Sequence, residues 1–267
     1  MIEFDDVHYT YHDGTMALRG VTYSIRKGEK IALVGPNGSG KSTFLLHTNG
    51  ILRPTSGTVR IDGRPVDQKN AKEIRTKVGI VFQDADDQVF SPTVFEDAVF
   101  GPMNLRLAKE EVIQRANKAL ELVGLEGYER RSAHHLSGGE KKKVALAGVL
   151  AMRPEVIVLD EPTANLDPYS AHSLMELLDE LHRTGKTILI ATHEVDVVCE
   201  WADRVCVLHN GVVVRDSTPS EAFSDAALMA ETRLRPPIVY RVFEGITSPT
   251  PTSVRQARDK LKKLIQE

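Results

Sequence analysis

The run Gly35-Pro-Asn-Gly-Ser-Gly-Lys-Ser-Thr43 has the form G-x-x-x-x-G-K-[ST], a pattern whose chemistry is the binding of phosphate. Gly35, Gly38 and Gly40 permit backbone conformations that a Cβ obstructs, so successive N–H groups can face one anion. Pro36, Asn37, Ser39 and Thr43 complete the loop. A helix starting near Lys41 adds the positive end of its dipole. Lys41 is expected to reach the β- and γ-phosphates of a nucleoside triphosphate, and the Ser42 hydroxyl to sit on Mg²⁺. Three further polar positions follow apolar runs: Gln83 after Val78–Phe82, Asp160-Glu161 after Val156–Leu159, and His193 after Thr187–Thr192. The carboxyl end of a buried strand is where such side chains meet a ligand. Asp160 is suited to the Mg²⁺ shell and Glu161 to polarising a water for attack on the γ-phosphate. His193 is placed to sense that phosphate.

These residues need strands and helices to hold them. Ile31–Val34 feeds the glycine-rich loop and Phe44–Leu46 continues out of it, the strand–loop–helix context that the pattern requires. The nearly continuous apolar runs are those of strands buried on both faces. Ahead of them, Ile2–Tyr11 alternates, Val21–Ile25 and Thr58–Ile61 are rich in β-formers, and Asp13-Gly14 and Asp62-Gly63 make turns, which predicts an attached antiparallel sheet. Tyr11, at the end of the first strand, either stacks on a nucleobase or packs as an ordinary tyrosine.

Thr93-x-x-Glu96 has the form of a capping box, and Lys109–Val123 has the spacing of an amphipathic helix, so residues 88 to 150 read as a mainly helical insertion. Leu136-Ser-Gly-Gly-Glu140 opens a helix running to about Met152. Ser137 and Glu140 again form a capping box, but the glycine pair is not explained by helix stability, since each costs about 1 kcal/mol relative to alanine within a helix. Gly138 and Gly139 leave a helix N-terminus open to an anion beside the Ser137 hydroxyl. Asp167-Pro168 caps another helix, with Leu174, Leu177, Leu178 and Leu181 as its stripe. Arg204–Leu208, Asn210-Gly211 and Val212–Val214 read as a hairpin, and Thr218-Pro-Ser-Glu221 opens a short helix. Beyond residue 230, Pro236-Pro237 and Ser248-Pro-Thr-Pro251 are breakers. Val254–Ile265 reads as a helix with a narrow apolar stripe and basic flanks, expected to pack on the body.

Composition sets the class. With 41% hydrophobic and 27% charged residues and a net charge of −3, the chain reads as an ordinary soluble protein with no global field for nucleic acid. Cys199 and Cys206 are not spaced as metal ligands and read as packed, reduced thiols. The acidic start Met1-Ile-Glu-Phe-Asp-Asp predicts no signal peptide, and no apolar run approaches the ~18 residues of a spanning helix.

In order along the chain, these motifs resemble the nucleotide-binding subunit of an ABC transporter over residues 1 to 225: the Walker A loop, Gln83 as Q-loop, Leu136–Glu140 as signature, Val156–Glu161 as Walker B, Asn165–Pro168 as D-loop and His193 as H-loop. Phe82-Gln-Asp-Ala-Asp-Asp-Gln-Val-Phe90 and the stretch His135–Gly148 are similar to the energy-coupling-factor (ECF) type, most of all its cobalt/nickel importers. Two positions depart from the usual signature region, Glu140 in place of glutamine and Lys143 in place of arginine. Glu140 adds negative charge close to where a partner's nucleotide would dock, unless capping directs it away.

The resemblance implies an α/β fold: a P-loop NTPase (RecA-like) core with an antiparallel β subdomain and an inserted α-helical subdomain, forming an ATPase domain over 1–225, followed by a partly helical extension over 226–267. It implies ATP and Mg²⁺ as ligands and a head-to-tail dimer with itself or a related ATPase. Each ATP would be held by one subunit's loop from Gly35 to Thr43, with Tyr11 on adenine, and by Ser137, Gly138 and Gly139 of the other. Ser42, Gln83 and Asp160 would serve the metal, and Glu161 and His193 the hydrolysis. Integral membrane subunits would receive the motion through the surface after Gln83, which places the protein peripherally on the cytoplasmic face of the cell membrane. A vitamin importer, or another ABC importer, is the alternative. A DNA-repair ATPase would need a long coiled coil, and no sustained heptads separate Lys41 from Ser137.

Overall fold

The computed structural model describes residues 1–266, with side chains to residue 263. The chain opens with β1 (Ile2–Thr10) and β2 (Met16–Ile25), paired antiparallel. Ile2 and Phe4 point into the core, and the alternation then slips at Asp6, which takes φ 48° so that Val7 is again buried. The register changes there from Phe4–Tyr23 to Val7–Val21, as a bulge requires. Tyr11 lies one residue beyond β1, its N–H donating to Thr15 in the connecting turn. After β3 (Lys30–Val34) and α1 (Lys41–Thr48), β4 (Ser56–Ile61) returns to the other edge of β1 and β5 (Arg64–Pro65) pairs with β4. This sheet has the order β2-β1-β4-β5.

The helix α2 (Ala71–Lys77) leads into β6 (Val78–Val81). Three helices follow: α3 (Val94–Asn104), α4 (Lys109–Leu122) and α5 (Gly138–Ala151). Val112, Ala116, Ala119 and Leu120 form the buried stripe of α4. The chain then alternates β7 (Val156–Asp160), α6 (Pro168–Arg183), β8 (Thr187–Thr192), α7 (Val195–Trp201), β9 (Arg204–His209) and β10 (Val212–Ser217). The second sheet has the order β10-β9-β3-β8-β7-β6, parallel except for β10 at its edge. Every residue of β6 and β8 is buried, which accounts for their unbroken apolar character. The Asn210-Gly211 turn of the last hairpin has φ 49° and 78°, the two positive values that a two-residue turn of this kind demands.

The C-terminal part holds α8 (Pro219–Phe223), α9 (Ala226–Thr232), α10 (Ile238–Phe243) and α11 (Val254–Gln266). Residue 267, the last of the extension predicted over 226–267, lies outside the described residues, as do the side chains of Leu264 and Ile265 from the predicted stripe. The other two residues of that stripe, Val254 and Leu261, are exposed and do not pack on the body as expected, while Ala257, outside it, is buried. Cys206 is buried and Cys199 half-buried, and burial pushes the Cys199 thiol up to about 12.

The two sheets meet over α1. Phe44, fully buried, stacks on Phe4 of the antiparallel sheet at 4.2 Å and meets Tyr23 edge-on at 6.0 Å. Phe44 follows the glycine-rich loop directly, so this packing sets where the loop stands. Phe44→Ala is expected to cost about 3–5 kcal/mol, read as a lower urea midpoint. A loss below about 1 kcal/mol would show that the site collapses without a cavity.

Candidate functional site

The loop between β3 and α1 is backed by backbone on two sides. A Cβ on Gly35 would lie 2.1 Å from the Leu208 carbonyl oxygen, and one on Gly40 would lie 2.5 Å from that of Ala17. Gly40 also holds φ 105° as the residue preceding α1. The hairpin turn closes underneath, where Gly211 donates its N–H to the Ser39 carbonyl at 3.0 Å. Ser39 is 2% exposed, and its hydroxyl, without a partner, occupies the space left by the absent Gly35 Cβ.

Lys41 is 7% exposed. Its ammonium donates to the carbonyls of Gly35 at 2.9 Å and Pro36 at 3.3 Å and stands 3.9 Å from Glu161 Oε1. Burial lowers its pKa, against the attraction of Glu161 and Asp160. The amine therefore curls over the loop that would carry the phosphates. Tyr11 is exposed on one side of α1, its hydroxyl 2.9 Å from Thr43 Oγ1 and its ring edge-on to Tyr9. That position suits either contact with a ligand or packing.

Asp160 ends β7 and lines the same cavity as Ser42. Burial raises its pKa, while Ser42 and the cations of Lys41 and Lys142 oppose the rise. Glu161 follows with φ 45°, a left-handed conformation that costs a non-glycine residue about 1–2 kcal/mol. It is 6% exposed and fully engaged: its N–H donates to Ala191, Oε2 accepts from Thr192 at 3.1 Å, and Oε1 lies 2.9 Å from His193 Nδ1. Glu161 is thus held from β8 and the residue that follows it, through Ala191, Thr192 and His193. With Nδ1 on the carboxylate, the second ring nitrogen of His193 is free to meet a phosphate.

Gln83 is exposed and lines a cavity of about 530 Å³ with Ser42, Asp160, Lys142 and Gly138. Phe82 lies just outside β6, where Gln88 clamps the chain by accepting from the Phe82 N–H and donating to the Ile80 carbonyl. Lys141 ties the following acidic turn to α5 through Asp86 at 2.5 Å. Ser137 and Gly139 line an adjoining recess of about 220 Å³ with Asp167 and Ser170, and Gly138, Asn165 and Leu166 face both spaces. Lys41, Glu161 and His193 thus form one contact network, with Ser42, Asp160 and Gln83 on the cavity beside it, whereas Ser137 and Gly139 line only the adjoining recess.

Glu140 is turned back on its own helix, where Oε2 accepts the Ser137 N–H at 2.8 Å and Ser137 Oγ accepts the Glu140 N–H. The Ser137 backbone bond, first among the causes, holds its carboxyl below the usual carboxylate range. The box uses Ser137 Oγ as an acceptor and leaves its proton to donate.

Lys142 belongs to the network although sequence reasoning passed over it. It is 4% exposed, and its ammonium donates to the carbonyls of Glu161 at 3.0 Å and Ala164 at 3.2 Å. Inside Lys141-Lys142-Lys143 it looks like part of a solvated charge run. The available signal was its register with Ala145, Leu146 and Val149, all buried on the same face of α5.

The site fits a nucleoside triphosphate and Mg²⁺ on these observations: glycines that a Cβ would jam, a buried cation folded over the loop, and the oxygen donors of Ser42 and Asp160 on one cavity for the metal. Comparisons with known proteins agree. The family model described as ABC transporter matches residues 18–164. The ATP-binding protein EcfA of an energy-coupling factor transporter from Methanocaldococcus jannaschii is 52% identical over 246 residues, covering 91% of this chain and 88% of that one. The solved structure of CbiO1 from Clostridium perfringens, described as part of the ABC transporter complex cbiONQ, is 42% identical, with a TM-score of 0.77 over 88% of this chain and 94% of that chain. A dimeric ATP-binding cassette in a post-hydrolysis state, bound to ADP and Pi, is 32% identical, with a TM-score of 0.74 over 82% of this chain and 99% of its own.

Gly35 and Gly38 separate two reasons for glycine. Gly35→Ala meets the Leu208 carbonyl and should weaken ATP binding by more than about tenfold in a fluorescent-nucleotide titration. A Cβ on Gly38 meets nothing within 4 Å, but its φ of 78° should cost Gly38→Ala about 1 kcal/mol of stability. Equal loss of ATP affinity in both variants would contradict the steric account.

Proposed function

The chain belongs to the ATP-binding subunits of ABC transporters, ATPases that bind ATP with Mg²⁺ and dimerise, and we propose that it is the motor of an ECF importer of cobalt or nickel ions on the cytoplasmic face of the membrane. The observation that carries the mechanistic part is the contact set Lys41–Glu161–His193 beside one cavity, with the open end of α5 in a different recess. One protomer therefore presents a phosphate site and, separately, an anion-binding helix end. The two complement each other when a second subunit is placed head to tail.

In this reading the domain that carries out hydrolysis is 1–225, with its helical part over 88–150, and 226–267 is an extension. The loop Gly35–Thr43 holds the phosphates of ATP through its amides and Lys41, and Tyr11 contacts the base. Ser42, Asp160 and Gln83 hold Mg²⁺, which supplies charge neutralisation of the phosphates. Glu161 takes the proton of the attacking water, and His193, oriented by its bond to Glu161, contacts the γ-phosphate through its free nitrogen. Ser137, Gly138 and Gly139 serve the partner's nucleotide. The capping box withdraws the Glu140 carboxylate toward the Ser137 N–H, which answers the charge problem that this departure from glutamine raises.

Among the described residues no helix is long and apolar enough to cross a membrane, so the membrane path is assigned to other subunits. Support for cobalt or nickel comes from the resemblance of Phe82–Phe90 and His135–Gly148 to importers of that type, and the relatives called EcfA carry no cargo in their names. Purification with the membrane proteins encoded beside it, followed by elemental analysis of the bound metal, tests the cargo. A vitamin in place of a metal would select the alternative.

Glu161→Gln is expected to bind ATP, to turn over at least ~100-fold more slowly and to accumulate as a dimer by light scattering. Turnover like that of the wild type would remove Glu161 from the role of base. Ser137→Arg should retain nucleotide affinity and lose the ATP-dependent increase in mass; an unchanged mass increase would count against the signature contacting a partner's ATP.

A further inference from the structure

Glu161 keeps a strained backbone at the start of a turn. Its φ is 45°, and its carbonyl accepts the Ala164 N–H at 3.1 Å to close the turn. Asn165, next in the chain, is also left-handed at φ 62°. Two successive departures from ordinary backbone persist only where neighbours over-determine them. On one flank the neighbour is β8, through Ala191 and Thr192. On the other it is a single side chain from a different part of the fold, Lys142, bridging the carbonyls of Glu161 and Ala164 from within α5.

A lysine 4% exposed is costly to keep charged unless its protons are satisfied, and burial does lower its pKa. Its two carbonyl partners are the two ends of the Glu161 turn, and Glu161, Asp160, Asp84 and Glu194 supply compensating charge around it. Surface charge runs do not show this geometry. Lys141, its neighbour, makes a separate tie to Asp86, so adjacent residues of one helix turn reach the two loops flanking the cavity.

We propose that Lys142 is a positioning residue for Glu161: it clamps the turn Glu161–Ala164 from α5 and so fixes the carboxylate against His193 and the loop. This rests on the reading of Glu161 as the group that takes the proton from water. Ser137, at the N-terminus of the same helix, lies little more than one turn away from Lys142. A displacement of the signature by a partner's nucleotide is therefore carried through α5 to the carboxylate of the same protomer. Each composite site is thereby linked to the other through the Lys142 side chain.

The test compares Lys142→Met, which fills the space without donors, with Lys142→Gln, which keeps N–H donors without charge, in the full chain with MgATP. Lys142→Met should lower kcat on the order of 10²-fold, the cost of misplacing a catalytic group by about 1 Å, while KM and fluorescent-nucleotide affinity stay within about twofold. Lys142→Gln should recover most of the turnover. Adding Lys142→Met to Glu161→Gln should cause no further loss, because the two act as a unit. Should Lys142→Met fail to fold, Lys142→Ser, which admits water in place of the ammonium, makes the same comparison. The proposal is overturned by turnover of the methionine or serine variant at the wild-type rate, by an equal loss of affinity and kcat, or by a glutamine variant no better than methionine. If Glu161→Gln is inert while Lys142→Met is fully active, only the positioning role falls; if Glu161→Gln is itself fully active, the role of Glu161 falls first.

Discussion

Two carboxylates leave the end of a buried strand side by side, and their repulsion has to be neutralised without water. Asp160 and Glu161 occupy that position, and the surrounding residues divide the task. Lys41 approaches Glu161 from the phosphate loop, and Lys142 reaches the backbone of the same residue from α5. Thr192 and His193 take the Glu161 carboxylate, and Asp160 opens onto the cavity lined by Ser42. At an effective dielectric constant near 20, a pair of unit charges 4 Å apart interacts by about 4 kcal/mol, so an uncompensated pair would be a large fraction of a domain's stability. The chain lowers this cost with cations whose other bonds go to carbonyls, which leaves the carboxylates available to a metal and a water. Much of the architecture, from the parallel order of β3, β8 and β7 to the placement of α5, brings these groups to one end of the sheet.

Much of this was legible in the residues because the site strands are buried on both faces. Val78–Val81, Val156–Asp160 and Thr187–Thr192 have no solvent face to break the apolar run, so the polar residue after each one stands out. The capping boxes at Ser137 and Thr218 were equally readable, since a cap is a local contract between residues three apart. The helix α7 was not. Val195, Val197 and Val198 are β-branched, and the segment is helical because burial at Val195, Val198 and Trp201 overrides that preference. The short helices α2, α9 and α10 lacked the length for a periodic pattern to emerge. Lys142 was hidden for a different reason: its partners are carbonyls, and no sequence pattern announces which backbone oxygens will be buried near a helix face.

The separation of the signature recess from the phosphate site has a simple origin. Gly138 and Gly139 open α5, whose body packs in the main core through Val144, Leu146 and Val149, so its N-terminus cannot also fold over its own loop. Ser137 and Gly139 therefore line a recess other than the one lined by Ser42, Gln83 and Asp160, although the two adjoin at Gly138, Asn165 and Leu166. Nucleotide then acts both as substrate and as the contact that joins subunits, consistent with the dimeric, ADP- and Pi-bound cassette to which the fold is similar.

The carbonyl of Ala17 in β2 is the nearest obstacle to a Cβ on both Gly40 and Gly211, which come from the phosphate loop and the last hairpin. Three segments far apart in the chain thus share one atom as a common wall. A side chain at either glycine therefore requires β2 to move, because an added Cβ would lie 2.5 Å from that carbonyl oxygen at Gly40 and 2.7 Å from it at Gly211. The antiparallel sheet, the hairpin and the phosphate loop are thereby coupled mechanically as one block, whereas α10 buries none of its residues.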